Sequence, residues 1–442
     1  MLRYDAANTG HVPGGSVPTE GVEAQWTFDT ESKVTTQPII VDGTVFVGTT
    51  GGTLYALDAQ TGAEQWSRNH DESLDSGPVV SGGLVYVPAG SRLLAYSAAT
   101  GDGQFAVDVG GQVGTPTVSD GTLYTRSGGK LYAIDATGGE VQWSGGSFEN
   151  NLSAARNDEL AVTVSDGSVY VMYPNDDYGG DVYLSSFTAD PTAESPEREW
   201  QTELEYADDD INFDTTVTAV DGSLYAGLWA GGETQGVVAL NAASGSVEWR
   251  YTDISNVRTY PTATADTVYA AATGELVGID PALGTAKWST DLSGNPTSPI
   301  LVGDTLIFGS SDNNVYAYDT EGEQRWSFAT GNNVVAPPVA VDGTVYTAST
   351  DGLVYALQGA DTTPDAPDVT GDGNVATDPD GDGLFEDVNG DGEFSVVDVQ
   401  ALFANLDSAA VQDNPELFDF NGDGQVDVTD VQALFASLQE EG

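Results

Sequence analysis

Short apolar runs, broken by glycine-containing pairs, recur through the first 360 residues of the chain. In one period, Pro38-Ile-Ile-Val41, Thr44-Val-Phe-Val47, Leu54-Tyr-Ala-Leu57 and Glu64-Gln-Trp66 read as four successive strands. Asp42-Gly43, between the first two, is a strong hairpin signal because both residues tolerate positive φ. Asp120-Gly121, Asp166-Gly167, Asp221-Gly222 and Asp342-Gly343 hold the equivalent place further on, and Ser81-Gly82-Gly83, Asp266-Thr267 and Asp304-Thr305 fill it elsewhere. That makes eight units.

The outer half of each unit is the most regular. Leu54 to Asp58 is a strand, Asp58 to Gly62 is rich in turn formers, and Gln65-Trp66-Ser67 begins the next strand. Asp and Thr side chains bond nearby amides in such a turn, while Gly accepts positive φ. Ala56 leaves room on the strand surface, and Trp66 can bury a large ring while its N–H finds an acceptor. Related patterns lead to Phe105, Trp143, Trp249, Trp288 and Trp326, with 38 to 40 residues between neighbouring anchors from Trp26 to Trp143 and from Trp249 to Trp326. A period near forty with four strands per unit predicts an all-β fold, an eight-bladed β-propeller. The fourth unit departs most. Its strand near Val182-Tyr-Leu184 is separated from Trp200 by an insertion over 189–197, and a further insertion covers 230–235. Seven blades is the competing count if that unit is misread. Trp26 has no preceding Ala-x-Asp strand, and Leu353-Val-Tyr-Ala-Leu357 has no following Trp. Pairing of 22–28 with 353–357 would close the ring and remove two free edges.

Ala56-x-Asp58-x-x-Thr61-Gly62-x-x-x-Trp66 resembles the tryptophan-docking motif of PQQ-type, quinoprotein-like propellers, over roughly residues 1–360. The resemblance implies that Trp26, Trp66, Phe105, Trp143, Trp200, Trp249, Trp288 and Trp326 clamp adjacent blades.

After Gln358 the composition changes. Asp361-Thr-Thr-Pro-Asp-Ala-Pro367 reads as a stiff exposed linker, and no Lys or Arg follows Arg325. Asp387, Asn389, Asp391, Glu393, Ser395 and Asp398 stand at positions 1, 3, 5, 7, 9 and 12 of one loop; Asp419, Asn421, Asp423, Gln425, Asp427 and Asp430 repeat them. Gly392 and Gly424 occupy position 6. This is EF-hand-type spacing for Ca²⁺, with position 7 acting through its carbonyl and Asp in place of the usual Glu at position 12. Each loop leads into an apolar stripe at helical spacing, Val399, Leu402, Phe403 and Leu406 in one and Val431, Leu434, Phe435 and Leu438 in the other. Two loop–helix copies without an entering helix resemble a small α-helical type I dockerin over about 385–440. Asp378, Asp380, Asp382 and Glu386 offer a third calcium site, and Asp368, Thr370 and Asp372 a less complete fourth; a flexible acidic linker is the alternative for both. The expected organisation is a propeller over 1–359, an acidic Asp/Gly-rich linker over 360–384 and the calcium module over 385–442.

Sixty-nine acidic residues face twelve basic ones, a formal charge of −57. Repulsion on this scale opposes compaction unless it is screened, so the expectation is a halophilic protein of haloarchaeal type. Without a basic patch, nucleic acid is excluded as a partner. No cysteine is present, and no apolar run is long enough to span a membrane. Met1-Leu-Arg-Tyr-Asp-Ala-Ala-Asn-Thr-Gly10 resembles the mature start of secreted propellers, which implies a secreted or cell-surface protein whose signal segment is absent from the chain.

PQQ-dependent dehydrogenases share the implied fold. That resemblance implies a calcium beside the quinone, a catalytic Asp, stacking Trp residues and, commonly, vicinal cysteines. This chain has no cysteine and no nucleophile–base arrangement stands out, so the expectation is no enzyme and no PQQ. His11 and His70 read as solvated, Asp208-Asp-Asp210 as an acidic rim, and Asn295, Asn332, Asn333 and Arg258 as places along an axial funnel. The propeller also resembles the lipoprotein of the outer-membrane barrel assembly machinery, a non-catalytic scaffold. The dockerin resemblance implies a cohesin-like partner, met loosely by Val396, Val397, Phe403, Val428, Thr429 and Phe435. A polymer in which the module docks on a neighbouring protomer is the alternative, and a dehydrogenase the less favoured one.

Overall fold

The computed structural model describes residues 5–146, 161–174, 182–204, 216–229, 235–360, 366–379 and 383–440. Two compact units divide the chain, Met1–Ala360 and Asp361–Gly442.

In the first unit the described residues form eight sheets, each built on four antiparallel strands. Blades 1 to 7 span 39–69, 79–108, 117–145, 163–204, 218–251, 262–291 and 300–329; blade 8 joins 339–359 to Val22–Asp29. The closing strand runs antiparallel to Leu353–Gly359, from Val22 opposite Gly359 to Asp29 opposite Leu353. The ring therefore closes as its two unmatched ends require, in eight blades. Asp42 and Gly43 have φ of 49° and 73°, the signature of a hairpin turn whose twist matches its strands. Blade 4 is a regular four-stranded sheet, with the insertion over 189–197 forming the link between Val182–Thr188 and Arg198–Leu204.

The Trp motif works between blades. Trp66 lies across its own sheet from Ala56 and donates its indole N–H to Ala98 of the next blade at 2.9 Å. Trp26, Trp143, Trp200, Trp249 and Trp288 reach Ala59, Asp190, Ala242, Pro281 and Thr320 in the same way, at 2.7 to 2.9 Å. Each acceptor carbonyl sits in the neighbouring blade's outer turn. That turn is held by its Asp: Asp58 Oδ1 accepts from the amides of Gln60 and Thr61 and from the Thr61 hydroxyl, which pulls its pKa below the ordinary value. The turn glycine supplies the floor. A Cβ on Gly62 would lie 2.6 Å from the Trp26 ring, and one on Gly245 2.3 Å from that of Trp200. Phe105 has no N–H to give, and there the Tyr86 hydroxyl takes the Ala136 carbonyl at 2.7 Å. Burial pushes that phenol up to about 12.

Around the axis a second set of links joins the innermost strands. The hydroxyls of Thr117, Thr163, Thr218 and Thr262 donate to the carbonyls of Val162, Val217, Pro261 and Pro299 in the following blade, at 2.5 to 2.6 Å. Inside them runs the N-terminal arm. Its carbonyls at Ala6, Ala7, Thr9 and Gly10 accept from Val164, Ala219, Ala263 and Leu301, one blade after another. His11–Val12 then pairs in parallel with Ile300–Val302, and Trp326 closes on the Pro18 carbonyl at 2.8 Å. Nothing in the hydrophobic pattern announces this arm, because its bonds are main-chain bonds to distant strands.

The second unit contains α1 (Val396–Asn405), two single turns, α2 (Ala409–Gln412) and α3 (Pro415–Phe418), and α4 (Val428–Glu440). Its core joins Leu402, Val411, Leu417, Phe418 and Leu434 to Val369, Ala376 and Phe385. Two side chains from the stretch that composition marks as linker, Val369 and Ala376, are thus buried with the helices. Phe403 and Phe435 leave the predicted apolar stripe: they are 61% and 44% exposed, while Leu402 and Leu434 beside them are fully buried.

Candidate calcium loops and docking face

Both twelve-residue loops fold alike, for reasons visible in the sequence. Position 1 gathers the loop's amides: Asp387 accepts from Asp391 and Gly392 at 3.1 and 2.9 Å, and Asp419 from Gly422, Asp423 and Gly424 at 2.7 to 3.1 Å. Position 5 accepts from position 7, in Asp391 from Glu393 and in Asp423 from Gln425. Gly392 and Gly424, at φ of 87° and 85°, make the reversal. The other donors join loop to helix. Asp398 receives the amides of Asn389 and Ser395 at 3.0 and 2.8 Å, and Asp430 those of Asn421 and Asp427 at 3.1 and 2.8 Å. Ser395 also caps α1, its hydroxyl accepting from Val397, a reciprocal capping box. Asp427 accepts from the Thr429 hydroxyl and amide, which lower its pKa.

The donor set fits a hard divalent cation. Asp387, Asp398 and Asp430 are completely buried, and from Asp361 onward the chain carries 21 acidic residues and no basic one. Buried acidic groups need compensation, and within this unit the loop amides supply it with no basic side chain to assist. Among the described residues no three acidic or His side chains converge into a cage; instead the position 1 and position 12 carboxyls are turned onto amides of their own loops.

The weaker candidates divide. Asp368 accepts from Gly371, Asp372 and Gly373 at 2.6 to 3.2 Å, and Asp372 from Asn374, repeating positions 1 and 5 of the complete loops. Thr370, Asp372 and Asn374 share a recess with Asn389 and Asp391, although Ala376 and Pro379 stand where positions 9 and 12 would fall. Asp378 accepts from Gly383 and Glu386 is buried; Asp380 and Asp382 lie outside the described residues, as do Asp208, Asp209 and Asp210.

On the helices, Val396, Val397 and Phe403 of α1 and Val428 and Phe435 of α4 are all 44 to 61% exposed. The pairs 396/428 and 403/435 hold equivalent positions in the two copies, so the module shows two related apolar patches. Thr429 is tied to Asp427 and Asn421. In the propeller, His70 is half-buried 5.7 Å from the Tyr96 ring, and burial lowers its pKa. Burial likewise lowers that of His11, against the pull of Asp5. Arg258 stacks 3.6 Å over Trp229, Asn295 accepts from Thr273 and Asn332 from its neighbour Asn333. Arg258 and Asn295 thus tie neighbouring loops together.

Fold and loops define a closed eight-bladed propeller joined to a paired EF-hand-type module. The family model described as outer membrane protein assembly factor BamB matches residues 50–184 and 190–364, most of the chain, and the chain belongs to that family of PQQ-like propellers. A dockerin type I model matches residues 385–439, which implies calcium binding and a protein partner. Among curated proteins no match was found. Solved structures agree on the fold: BamB from Moraxella catarrhalis, with a TM-score of 0.62 at 16% identity, covers 76% of this chain and 99% of its own. Quinohemoprotein alcohol dehydrogenase from Comamonas testosteroni gives 0.59 at 17% identity, over 100% and 94%. The computationally designed Ika8 protein gives 0.59 at 12%, over 76% and 99%. Among the described residues no helix is long and apolar enough to cross a membrane.

Proposed function

We propose that the chain is a non-catalytic binding protein of the cell exterior, secreted or held at the surface. Its C-terminal module docks a cohesin-like domain when calcium is bound, and its propeller presents loops to a second partner. The observation that carries this reading is the pair of exposed apolar patches on α1 and α4, each begun by a loop with buried acidic ligands and no base to balance them. Calcium would hold the two loops through Asp387, Asn389, Asp391 and Asp398 and through Asp419, Asn421, Asp423 and Asp430, with the carbonyls of Glu393 and Gln425. Each α-helix starts from its loop's position 9, so metal binding and helix formation are coupled. A role for the propeller without PQQ is supported by how the docking tryptophans are used: their N–H groups are spent on carbonyls of the next blade's turn.

The test is titration of the full chain against a panel of type I cohesin domains by calorimetry, in calcium and in EGTA. Binding in calcium alone, reduced at least tenfold when both Phe403→Asp and Phe435→Asp are made, supports docking. Calcium-dependent growth in solution mass with no cohesin present would favour a polymer of protomers, and quinone-dependent dye reduction would favour a dehydrogenase.

A further inference from the structure

The N-terminal arm reveals what the inner edges of the blades can bind. Each amide it engages holds one register: Val164 lies opposite Val169, Ala219 opposite Leu224, Ala263 opposite Val268 and Leu301 opposite Leu306. All four point at the axis and meet arm carbonyls at 2.7 to 3.2 Å. Ala340, Ile40 and Val80 hold that same register in blades 8, 1 and 2, opposite Val345, Val45 and Val85. Their amides therefore face inward too. Among the described residues no arm carbonyl bonds them. They border a cavity of about 510 Å³, within the range that holds specific ligands, although Val12 to Ser16 of the arm line the same space.

The inner strands also differ around the ring in the residue they start with. Blades 3 to 6 start their inner strands with Thr117, Thr163, Thr218 and Thr262, whereas blades 7, 8, 1 and 2 start with Ile300, Val339, Ile39 and Val79. Within the arm, Asn8 answers two of the threonines: its Nδ2 donates to Thr163 at 2.9 Å and its carbonyl accepts from Thr218 at 3.0 Å. At the cavity, an apolar wall replaces them.

We propose that this cavity accepts an extended peptide of small apolar residues from a partner protein. Its carbonyls bond the amides of Ala340, Ile40 and Val80, as the chain's own residues 6–10 bond blades 4 to 7. Recognition is then β-strand addition at a sheet edge, with main-chain bonds giving affinity and the pocket wall giving specificity. An Ala, Val or Gly belongs where the arm has Asn. This proposal stands apart from the docking role of the C-terminal module.

The experiment uses the full chain in calcium-containing brine and a panel of end-blocked, fluorescein-labelled hexapeptides. One is Ala-Ala-Val-Ala-Gly-Val, one has Asp in place of its Val at the third position, and one copies residues 6–11 of the chain. Saturable anisotropy change with the first, and protection of the amides of Ile40, Val80 and Ala340 from hydrogen exchange, is the expected result; Asp should abolish binding. Proline is tolerated on an edge strand where its missing N–H faces outward, so Ile40→Pro and Ala340→Pro each delete one donor. Each should weaken binding about three- to tenfold, the effect of one backbone hydrogen bond. Absence of saturable binding up to millimolar peptide overturns the proposal. So does binding that leaves those three amides exchanging freely, the sign of a peptide that displaces the arm or sits elsewhere. If a proline variant does not fold, as judged by its circular dichroism, amide protection in the parent chain decides alone.

Discussion

Two glycines with nearly the same backbone isolate what the docking tryptophan requires. Gly62 has φ of 70° and Gly43 has φ of 73°. A Cβ added at Gly62 would lie 2.6 Å from Trp26, whereas one at Gly43 would meet nothing within 4 Å. Alanine at either position pays for a left-handed backbone, about 1–2 kcal/mol. At Gly62 it also has to push aside an indole that is 9% exposed and whose N–H holds the Ala59 carbonyl at 2.9 Å. Overpacking of this kind costs about 1–3 kcal/mol, so Gly62→Ala should destabilise by about 2–5 kcal/mol and Gly43→Ala by about 1–2. Trp26 lies on the strand that closes the ring, so the damage falls where first and last elements meet. Equilibrium unfolding in denaturant, followed by fluorescence with the slope held common, measures both variants. Equal losses, within about 0.5 kcal/mol, would refute the claim that the turn glycine exists to seat the neighbouring ring.

Three further outcomes follow from local geometry. Asn8→Ala should cost about 1–3 kcal/mol, since Asn8 is fully buried, has φ of 55° and bonds Thr163; a chemical melt reads it. Arg325 donates to Asp304 through both Nη atoms at 2.7 and 2.8 Å and, with its charge, holds that carboxyl at about 2, below the ordinary 3.8. A depressed folded value stabilises above the unfolded one and is lost as pH falls from 3.8 toward about 2. Asp304→Asn should therefore flatten the acid limb of a stability–pH curve in that window, while at neutral pH it costs at most about 1 kcal/mol because the pair is at the surface. Chelation should reduce helical circular dichroism, and added calcium should restore it. Unchanged helix content in EGTA would contradict coupling of α1 and α4 to their loops.

The parts of this architecture that repeat were legible, and the parts that occur once were not. Eight hairpin signals and eight aromatic anchors pointed to the ring because each blade must solve the same burial problem. Ala-x-Asp-x-x-Thr-Gly marked the turn, but sequence could not say that the turn carbonyl belongs to the preceding blade's indole; that is a long-range pairing. Phe105 broke the motif, and Tyr86, which holds the next blade's turn carbonyl there, lies on a different strand. The turns of the two C-terminal loops were readable because the hydrogen bonds that shape them are local. Val369 and Ala376 were not readable as core, since isolated apolar residues in an acidic stretch show no period. Phe403 and Phe435 followed the stripe in spacing yet face outward, because helical spacing marks a wide apolar stripe of which a small core covers only a part.

Charge bears on the two units differently, which salt can resolve. Among the described residues the chain has just two ion pairs, Arg68–Asp102 at 3.8 Å and Arg325–Asp304 at 2.7 Å, while up to residue 360 it carries 48 acidic residues and 12 basic ones. Direct pairing therefore cannot offset the propeller's repulsion. Screening can: the Debye length is about 10 Å at 0.1 M salt and about 3 Å at 1 M. The propeller transition, followed by tryptophan fluorescence, should move to higher temperature as NaCl rises through this range, and KCl should act equally because the effect is general. All eight tryptophans lie in the propeller, so this probe ignores the C-terminal module. Helix content, which reports α1 and α4, should respond instead to micromolar or millimolar calcium at fixed ionic strength. A propeller equally stable at 0.1 and 2 M NaCl would mean that its acidic surface is spaced widely enough to be tolerated without screening, and the halophilic reading would fall.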